Sequence, residues 1–146
     1  MAKIVAVCTS EQKGTGKSPV DSAIVKVNFG IVGDAHGGGD EKAREISLLA
    51  IESIEKMNRT GFDFKTGDFA ENLTTAGINL ISLPIGTKLK VGSDVVLRVT
   101  QIGKKCHTGC AIFKQAGKCI MPKEGVFAKV IKGGVIKPED GIEVIT

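Results

Sequence analysis

Residues 83–101 read LPIGTKLKVGSDVVLRVTQ, and this stretch decides the fold. It contains an apolar segment, a Gly-Ser-Asp turn at residues 92–94, and a strand in which Val95, Leu97 and Val99 take alternate positions. Residues 129–146, KVIKGGVIKPEDGIEVIT, repeat this order around a Pro-Glu-Asp-Gly turn. A period of two is typical of a half-buried strand, and such turns indicate hairpins. Several short strands joined by hairpins predict a small β-barrel rather than an open sheet.

The remaining segments predict the same mainly β class with a few short helices, in a single domain over residues 1–146. Residues 3–8 form a short apolar strand pattern, and residues 20–32 form a second β segment. Residues 41–59 are the best helical candidate because their apolar positions follow a helical stripe. Their first part also fits a short strand over residues 46–49 that leads into a helix over residues 51–57.

Composition indicates a globular protein and excludes some partners. The chain has 146 residues, of which 42% are hydrophobic and 25% charged, with a formal net charge of +4. There is no Trp or Tyr on which nucleic-acid bases would stack, so nucleic-acid binding is not expected. No apolar stretch has the length of a signal-peptide core or a membrane span, which predicts a cytoplasmic protein without membrane contact. Its four cysteines are then expected to stay reduced.

The strand at residues 94–100 leads into QIGKKCHTGC, residues 101–110, where Cys106 is the first candidate for chemistry. A thiol acts as a nucleophile or metal ligand only as the thiolate, which nearby positive charge stabilises. Lys104, Lys105 and His107 surround Cys106 in sequence and supply such charge. The alternative is that the lysines are solvated and the thiol packs inward, as free cysteines often do.

A structural zinc site is not expected in this segment. Cys106 and Cys110 have the spacing of one zinc knuckle, but Cys119 has no close partner. His107 is adjacent to Cys106 and is therefore poorly placed to join the same tetrahedron. A single working thiol fits better, and the sequence assigns no role to Cys8, Cys110 or Cys119.

Two glycine-rich loops contain further candidates. The loop SEQKGTGKSP, residues 10–19, is not a nucleotide phosphate loop, because Glu11 stands where a glycine is needed and Pro19 disfavours a following helix. Its glycines and Lys17 still offer N–H groups and a cation to an anion, unless the lysine is simply solvated. In GDAHGGG, residues 33–39, Asp34 and His36 suit an acid–base pair, a metal half-site or a polar clamp. The alternative is a flexible turn in which Asp34 binds local N–H groups.

A third polar cluster, TGDFAENLTTAG, occupies residues 66–77. Asp68 and Glu71 lie three residues apart, which suits acid–base catalysis or Mg²⁺ binding. From the residues alone, loop carboxylates bonded to backbone N–H groups are the better interpretation.

Five stretches together resemble the MOSC domain, the module at the C-terminus of molybdenum-cofactor sulfurases. They are GIVGDAHGG at 30–38, EISLLAIESIE at 45–55, GDFAENLTTAGINL at 67–80, LPIGTKLKVG at 83–92 and VTQIGKKCH at 99–107. The likeness is strongest to the stand-alone bacterial form, and it implies a distorted closed β-barrel of the MOSC and pyruvate-kinase barrel type.

The resemblance also implies roles for the polar residues. Cys106 matches the family's signature cysteine, which either carries sulfur as a persulfide or ligates molybdenum, and His107 and Lys105 would favour its thiolate. The positions expected to hold the molybdenum cofactor, molybdopterin, are Lys17, Gly33, Asp34, His36, Glu71, Asn72 and Thr74. Among them Lys17 is the expected contact of the pterin phosphate.

The function that this resemblance implies is a sulfur carrier or cofactor-binding protein in molybdenum-cofactor maturation. One alternative is a molybdenum-dependent reductase of N-hydroxylated compounds, and another is a non-catalytic chaperone for the pterin cofactor. The sequence contains no aminotransferase-like desulfurase domain, so a cysteine desulfurase or cofactor-biosynthesis proteins are the expected partners. The sequence specifies neither the sulfur donor and acceptor nor the oligomeric state.

Overall fold

A computed structural model describes residues 2–11, 16–34, 45–59, 61–103 and 125–145. These residues form eleven strands, one α-helix and one short 3₁₀ helix. The strands are β1 (Lys3–Thr9), β2 (Ser18–Val20), β3 (Ala23–Lys26), β4 (Gly30–Ile31), β5 (Ile46–Ala50), β6 (Leu73–Ala76), β7 (Lys88–Val91), β8 (Val95–Ile102), β9 (Val126–Lys132), β10 (Gly134–Ile136) and β11 (Ile142–Ile145). The helix α1 spans Ile51–Asn58, and the 3₁₀ helix spans Leu80–Ser82. The predicted mainly β class with little helix is confirmed.

The strands are arranged in two sheets. The larger sheet has the order β11-β7-β8-β9-β5-β6-β1-β2, and the smaller one has the order β10-β3-β4. The pairing is antiparallel throughout, except that β5 and β6 run parallel. The first predicted hairpin is present, since β7 pairs with β8. The second is not a hairpin, because β10 pairs with β3 and β11 pairs with β7, so the turn between β10 and β11 joins the two sheets.

The closed barrel that the resemblance implies differs from what is observed. Neither sheet closes on itself within the described residues. The two ends of the larger sheet nevertheless meet, because Lys3 forms an isolated bridge with Gly141. The Ile4 N–H donates to the carbonyl of Asp140, and the Glu139 N–H donates to the carbonyl of Ile4, both at 2.8 Å. Only the first half of β1 is available for this contact, since its second half already pairs with β2.

Residues 45–59 do not form the long helix that the apolar stripe predicts; the alternative of a strand followed by a helix is confirmed. Ile46, Leu48 and Leu49 are fully buried because β5 lies between β9 and β6 and is covered on both faces. A strand buried on both faces has a continuous apolar sequence, which periodicity alone does not distinguish from a helix. The helix begins only at Ile51, and its buried side chains pack on the outer face of the sheet.

Residues 20–32, predicted as one β segment, are instead divided among β2, β3 and β4, and β2 starts inside the predicted loop. Gly30, the first residue of β4, has a steric role. Gly30 has a φ of +111°, and a Cβ at this position would lie 2.6 Å from the carbonyl oxygen of Glu45. Glycine therefore allows β4 to pass close to the start of β5.

Two apolar clusters stabilise the fold. The larger lies against the sheets, and the smaller lies beneath α1, where the rings of Phe64 and Phe69 are 4.6 Å apart. The smaller cluster fixes the loop that leads to Glu71, because Phe69 and Ala70 are part of it. Among the described residues, no helix has both the length and the apolar character needed to cross a membrane.

Candidate functional site

The structure describes six of the predicted site residues. They are Lys17, Gly33, Asp34, Glu71, Asn72 and Thr74. The others lie outside the described residues, namely His36, Lys105, Cys106 and His107, and so do Cys110 and Cys119. The geometry therefore concerns the two glycine-rich loops and the turn before β6.

Lys17 and Asp34 form a buried ion pair. The Lys17 Nζ lies 2.7 Å from the Asp34 Oδ1, and neither side chain is exposed to solvent. The same carboxylate oxygen accepts the N–H of Ser10 at 3.1 Å. The pair thus joins the end of β1, the start of β2 and the residues after β4. The interpretation of Lys17 as a solvated surface lysine is wrong, and the two residues that the sequence singled out separately are brought together.

A polar cavity of about 400 Å³ lies beside this ion pair. Its walls are formed by Thr9, Ser10, Glu11, Gly16, Ser18 and Gly33. Gly33 has a φ of +90°, and no atom of the described residues lies within 4 Å of the position where a Cβ would stand, so this side of its backbone is open to a ligand. Hydroxyl groups and glycine N–H groups are suitable donors for an anionic or polar ligand.

Glu71 lies inside the protein and is absent from the walls of this cavity. Its residue is fully buried, and its Oε2 accepts the N–H of Gly67 at 2.9 Å and the hydroxyl of Thr74 at 2.8 Å. Its Oε1 has no hydrogen-bond partner among the described residues. Burial raises the pKa of this carboxyl above its ordinary value, and hydrogen bonds from the Gly67 N–H, the Thr74 hydroxyl and the backbone of Phe69 and Glu71 only partly oppose that effect.

Asn72 precedes β6 and bonds two other strands through its side chain. Its Oδ1 accepts the N–H of Ser47 at 2.9 Å, and its Nδ2 donates to the carbonyl of Cys8 at 3.1 Å. The amide oxygen is therefore bound to β5, and the amide nitrogen is bound to β1. Asp68, the other acidic residue of this cluster, accepts the N–H of Lys65 at 2.7 Å and closes its own turn.

Gly67 is a key residue that the sequence does not reveal. It has a φ of +86°, and its carbonyl accepts the N–H of Lys17 at 2.7 Å. A Cβ at this position would overlap the carbonyl oxygen of Lys17 and would lie 3.1 Å from the Cys8 Sγ. The only signal in the sequence is a glycine inside a Thr-Gly-Asp turn, which says nothing about a contact with a residue so distant in the chain.

The residues that flank the segment containing Cys106, Gly103 and Gly125, are hydrogen-bonded to each other. The Gly103 N–H donates to the carbonyl of Gly125 at 2.7 Å, and the Gln101 Nε2 donates to the Gly103 carbonyl at 2.8 Å. The strand before Cys106 is confirmed, since β8 spans Val95–Ile102.

A family model described as the MOSC domain matches residues 33–143, which is more than half of the chain. The chain belongs to the MOSC family. The resemblance that the motifs indicate is therefore confirmed, and it rests on residues throughout this range.

Solved structures with the same fold include YiiM from Geobacillus stearothermophilus, with a TM-score of 0.77 and 21% identity, covering 100% of this chain and 76% of that one. The YUAD protein from Bacillus subtilis has a TM-score of 0.77 and 19% identity, with 99% and 96% covered. YiiM from Escherichia coli has a TM-score of 0.72 and 20% identity, with 100% and 70% covered. At these identities the likeness concerns the fold alone, and it extends to β1 and Lys17. No curated protein matches the sequence significantly.

Cys8 is a second thiol of this MOSC domain that lies near the site. It is fully buried in β1, and its pKa is raised from 9.0 to about 12. Burial is the main cause, and the Glu71 carboxyl adds to it, whereas a hydrogen bond with Thr66 opposes it. Cys8 is consequently a neutral thiol at physiological pH.

We expect Cys8 to resist alkylation in the folded protein, because it is both shielded and protonated. Iodoacetamide at neutral pH, followed by peptide mass analysis, should leave Cys8 at least about 100-fold less modified than the same cysteine in urea. Equal modification of Cys8 with and without urea would contradict this expectation.

Proposed function

We propose that this MOSC domain binds the molybdenum cofactor and takes part in its maturation, with Cys106 as the sulfur acceptor or molybdenum ligand. The observation that carries the proposal is the polar cavity beside the buried ion pair of Lys17 and Asp34. Membership of the MOSC family supports the same class of ligand.

The donors around the cavity fit a phosphorylated pterin. Ser10 and Ser18 contribute hydroxyl groups, and the backbones of Gly16 and Gly33 contribute N–H groups that suit phosphate oxygens. Glu11 contributes a carboxylate, which accepts hydrogen bonds from the N–H groups of a pterin ring. Lys17 adds positive charge below the cavity but shares it with Asp34, so neutral donors provide most of the recognition.

The thiol is proposed on chemical grounds that the family and the sequence supply. When bound, the cofactor provides a thiophilic metal centre, and a thiolate is a suitable ligand for such a centre. A persulfide on the same cysteine requires the same activated thiolate, which Lys105 and His107 favour. No three Cys, His, Asp or Glu side chains form a metal site within the part of the chain that the structure describes.

The proposal is tested by isolating the protein from a host that makes molybdopterin. We expect bound pterin, seen as the fluorescence of its oxidised form, together with either molybdenum or cyanide-labile sulfur. Cys106→Ser should lower the content of molybdenum or labile sulfur by at least about tenfold, because the variant lacks the thiolate to which the proposal assigns them. Cys110→Ser, in the same segment, is the matched control and should retain them.

The outcomes separate the candidate functions. Absence of pterin from the wild-type protein, or labile sulfur unchanged in Cys106→Ser, would refute the proposal. Molybdenum with reduction of N-hydroxylated compounds would identify the reductase alternative, and pterin without molybdenum or sulfur would identify the chaperone.

A further inference from the structure

Glu71 lies too deep to touch a ligand in the polar cavity, yet it contacts the residues that build the cavity. Its Oε2 holds the N–H of Gly67 at 2.9 Å, and the carbonyl of the same glycine accepts the N–H of Lys17 at 2.7 Å. The peptide groups on both sides of Gly67 are therefore fixed, one by the carboxyl and one by the lysine backbone.

Lys17 transmits this contact to two walls of the cavity. Its neighbours in sequence, Gly16 and Ser18, line the cavity directly. Its ammonium group bonds Asp34, which follows the lining residue Gly33. A displacement of the Lys17 backbone would thus move the wall on the β2 side and weaken its link to the wall after β4.

We propose that Glu71 is a positioning residue that sets the shape of the polar cavity by holding Gly67 against the backbone of Lys17. This inference rests on the proposed function only where it concerns the cofactor; the contact between Gly67 and Lys17 is tested without any ligand. It assigns to Glu71 a role different from the direct cofactor contact that the sequence predicts.

The two contacts of Glu71 require an acceptor, since its Oε2 accepts both the Gly67 N–H and the Thr74 hydroxyl. Burial raises the pKa of its carboxyl above the ordinary value, and its Oε1 has no partner among the described residues. Among the described residues, the ionisable groups that face this region include Cys8 from β1, Lys17 from the start of β2 and Asp68 from the turn. Lys17 is paired with Asp34, and Asp68 bonds the backbone of Lys65.

Glutamine is therefore the faithful substitute for Glu71. Its amide oxygen accepts the same two donors, and its NH₂ group replaces the carboxyl hydroxyl. Methionine has a similar length but offers no comparable acceptor to the Gly67 N–H. A purely space-filling role would treat the two substitutions alike, whereas a positioning role separates them.

The test measures amide hydrogen exchange at Gly67 and Lys17 by NMR in the purified protein, and pterin content after production in a molybdopterin-competent host. Glu71→Met should accelerate exchange of the Lys17 N–H by at least about tenfold and lower the pterin content several-fold. Glu71→Gln should stay within about twofold of the wild type in both measurements. Should Glu71→Met fail to fold, Glu71→Asp serves the same purpose, since its carboxyl is one methylene too short to reach Gly67.

The matched control is Glu52, whose Oε2 accepts the N–H of another glycine, Gly77, at 3.0 Å on an exposed part of the molecule. Glu52→Met should leave Lys17 exchange and pterin content unchanged. The inference is overturned if Glu71→Gln behaves like Glu71→Met, or if Glu71→Met leaves the exchange of the Lys17 N–H unchanged. If exchange follows the expected pattern but no protein contains pterin, the proposed function fails and the positioning role stands.

The pH dependence of stability tests the raised pKa of buried Glu71 separately from its positioning role. Because the pKa of folded Glu71 lies above its ordinary value of 4.5, the folded state holds the proton more tightly than the unfolded state. This contribution to stability is complete below that value and is lost as pH rises through the folded pKa. The unfolding free energy of Glu71→Gln, minus that of the wild type, should therefore increase with pH.

Discussion

Gly67→Ala is expected to destabilise the protein by more than about 4 kcal/mol, which makes it one of the most damaging single substitutions in the chain. The new Cβ would overlap the Lys17 carbonyl oxygen and lie 2.9 Å from its carbonyl carbon. Relief requires moving the backbone of the lysine, which is held by the buried pair with Asp34. The positive φ of +86° adds a further cost of about 1–2 kcal/mol for a residue with a side chain.

Gly61→Ala is the matched control for this prediction. Gly61 also has a positive φ, +109°, but no atom lies within 4 Å of its would-be Cβ. Gly61→Ala should therefore lower the free energy of unfolding only by the conformational cost of a positive φ, about 1–2 kcal/mol. Urea unfolding of the two variants measures the difference, and equal losses would show that the contact with Lys17 carries no steric penalty.

Asp34→Leu is expected to lower the free energy of unfolding by about 3–5 kcal/mol, because it removes the carboxylate that lies 2.7 Å from the buried Lys17 ammonium. It also removes an acceptor of the Ser10 N–H. The double variant Lys17→Met with Asp34→Leu should recover part of this loss, since both charges of the buried pair are then gone. Urea unfolding of both single variants and the double variant measures this coupling.

The exposed pair of Lys3 and Glu139 provides the comparison. Its Nζ–Oε2 distance is 3.0 Å, similar to the buried pair, but its side chains are 47% and 73% exposed. Glu139→Gln should leave the urea midpoint unchanged within experimental error, because solvent screens exposed ion pairs.

For the buried pair, the proposed coupling would be contradicted if the double variant lost as much unfolding free energy as the two single variants together.

The sequence predicts the strands well wherever one face is buried and the other is solvated. Alternation of apolar and polar residues along the chain correctly predicts β8, and the turn at residues 92–94 correctly predicts its hairpin with β7. The turn at residues 138–141 does not form the predicted hairpin, since β11 pairs with β7 and not with β10. The pattern fails for β5, since a strand covered on both faces lacks alternation. The sheet does not close because only the first half of β1 contacts residues 139–141, while its second half pairs with β2. Local sequence patterns do not encode this division of one strand edge between two partners.

For the candidate site, the sequence identifies the right segments but not the direction of their side chains. Lys17 and Asp34 were expected to bind a ligand, and they bind each other beside the cavity. Glu71 and Asn72 were expected to face the same pocket, yet both are committed to backbone groups inside the fold. Polar residues next to glycines have the same appearance in sequence whether they recognise a ligand or hold two loops together.

The meeting of the first and last strands has a consequence for protein engineering. The Ile142 N–H donates to the carbonyl of Ala2 at 3.2 Å, so the residue before β1 lies beside the start of β11. A truncation that removes Ala2 would therefore take away a hydrogen bond of β11, a strand far away in the sequence that also pairs with β7.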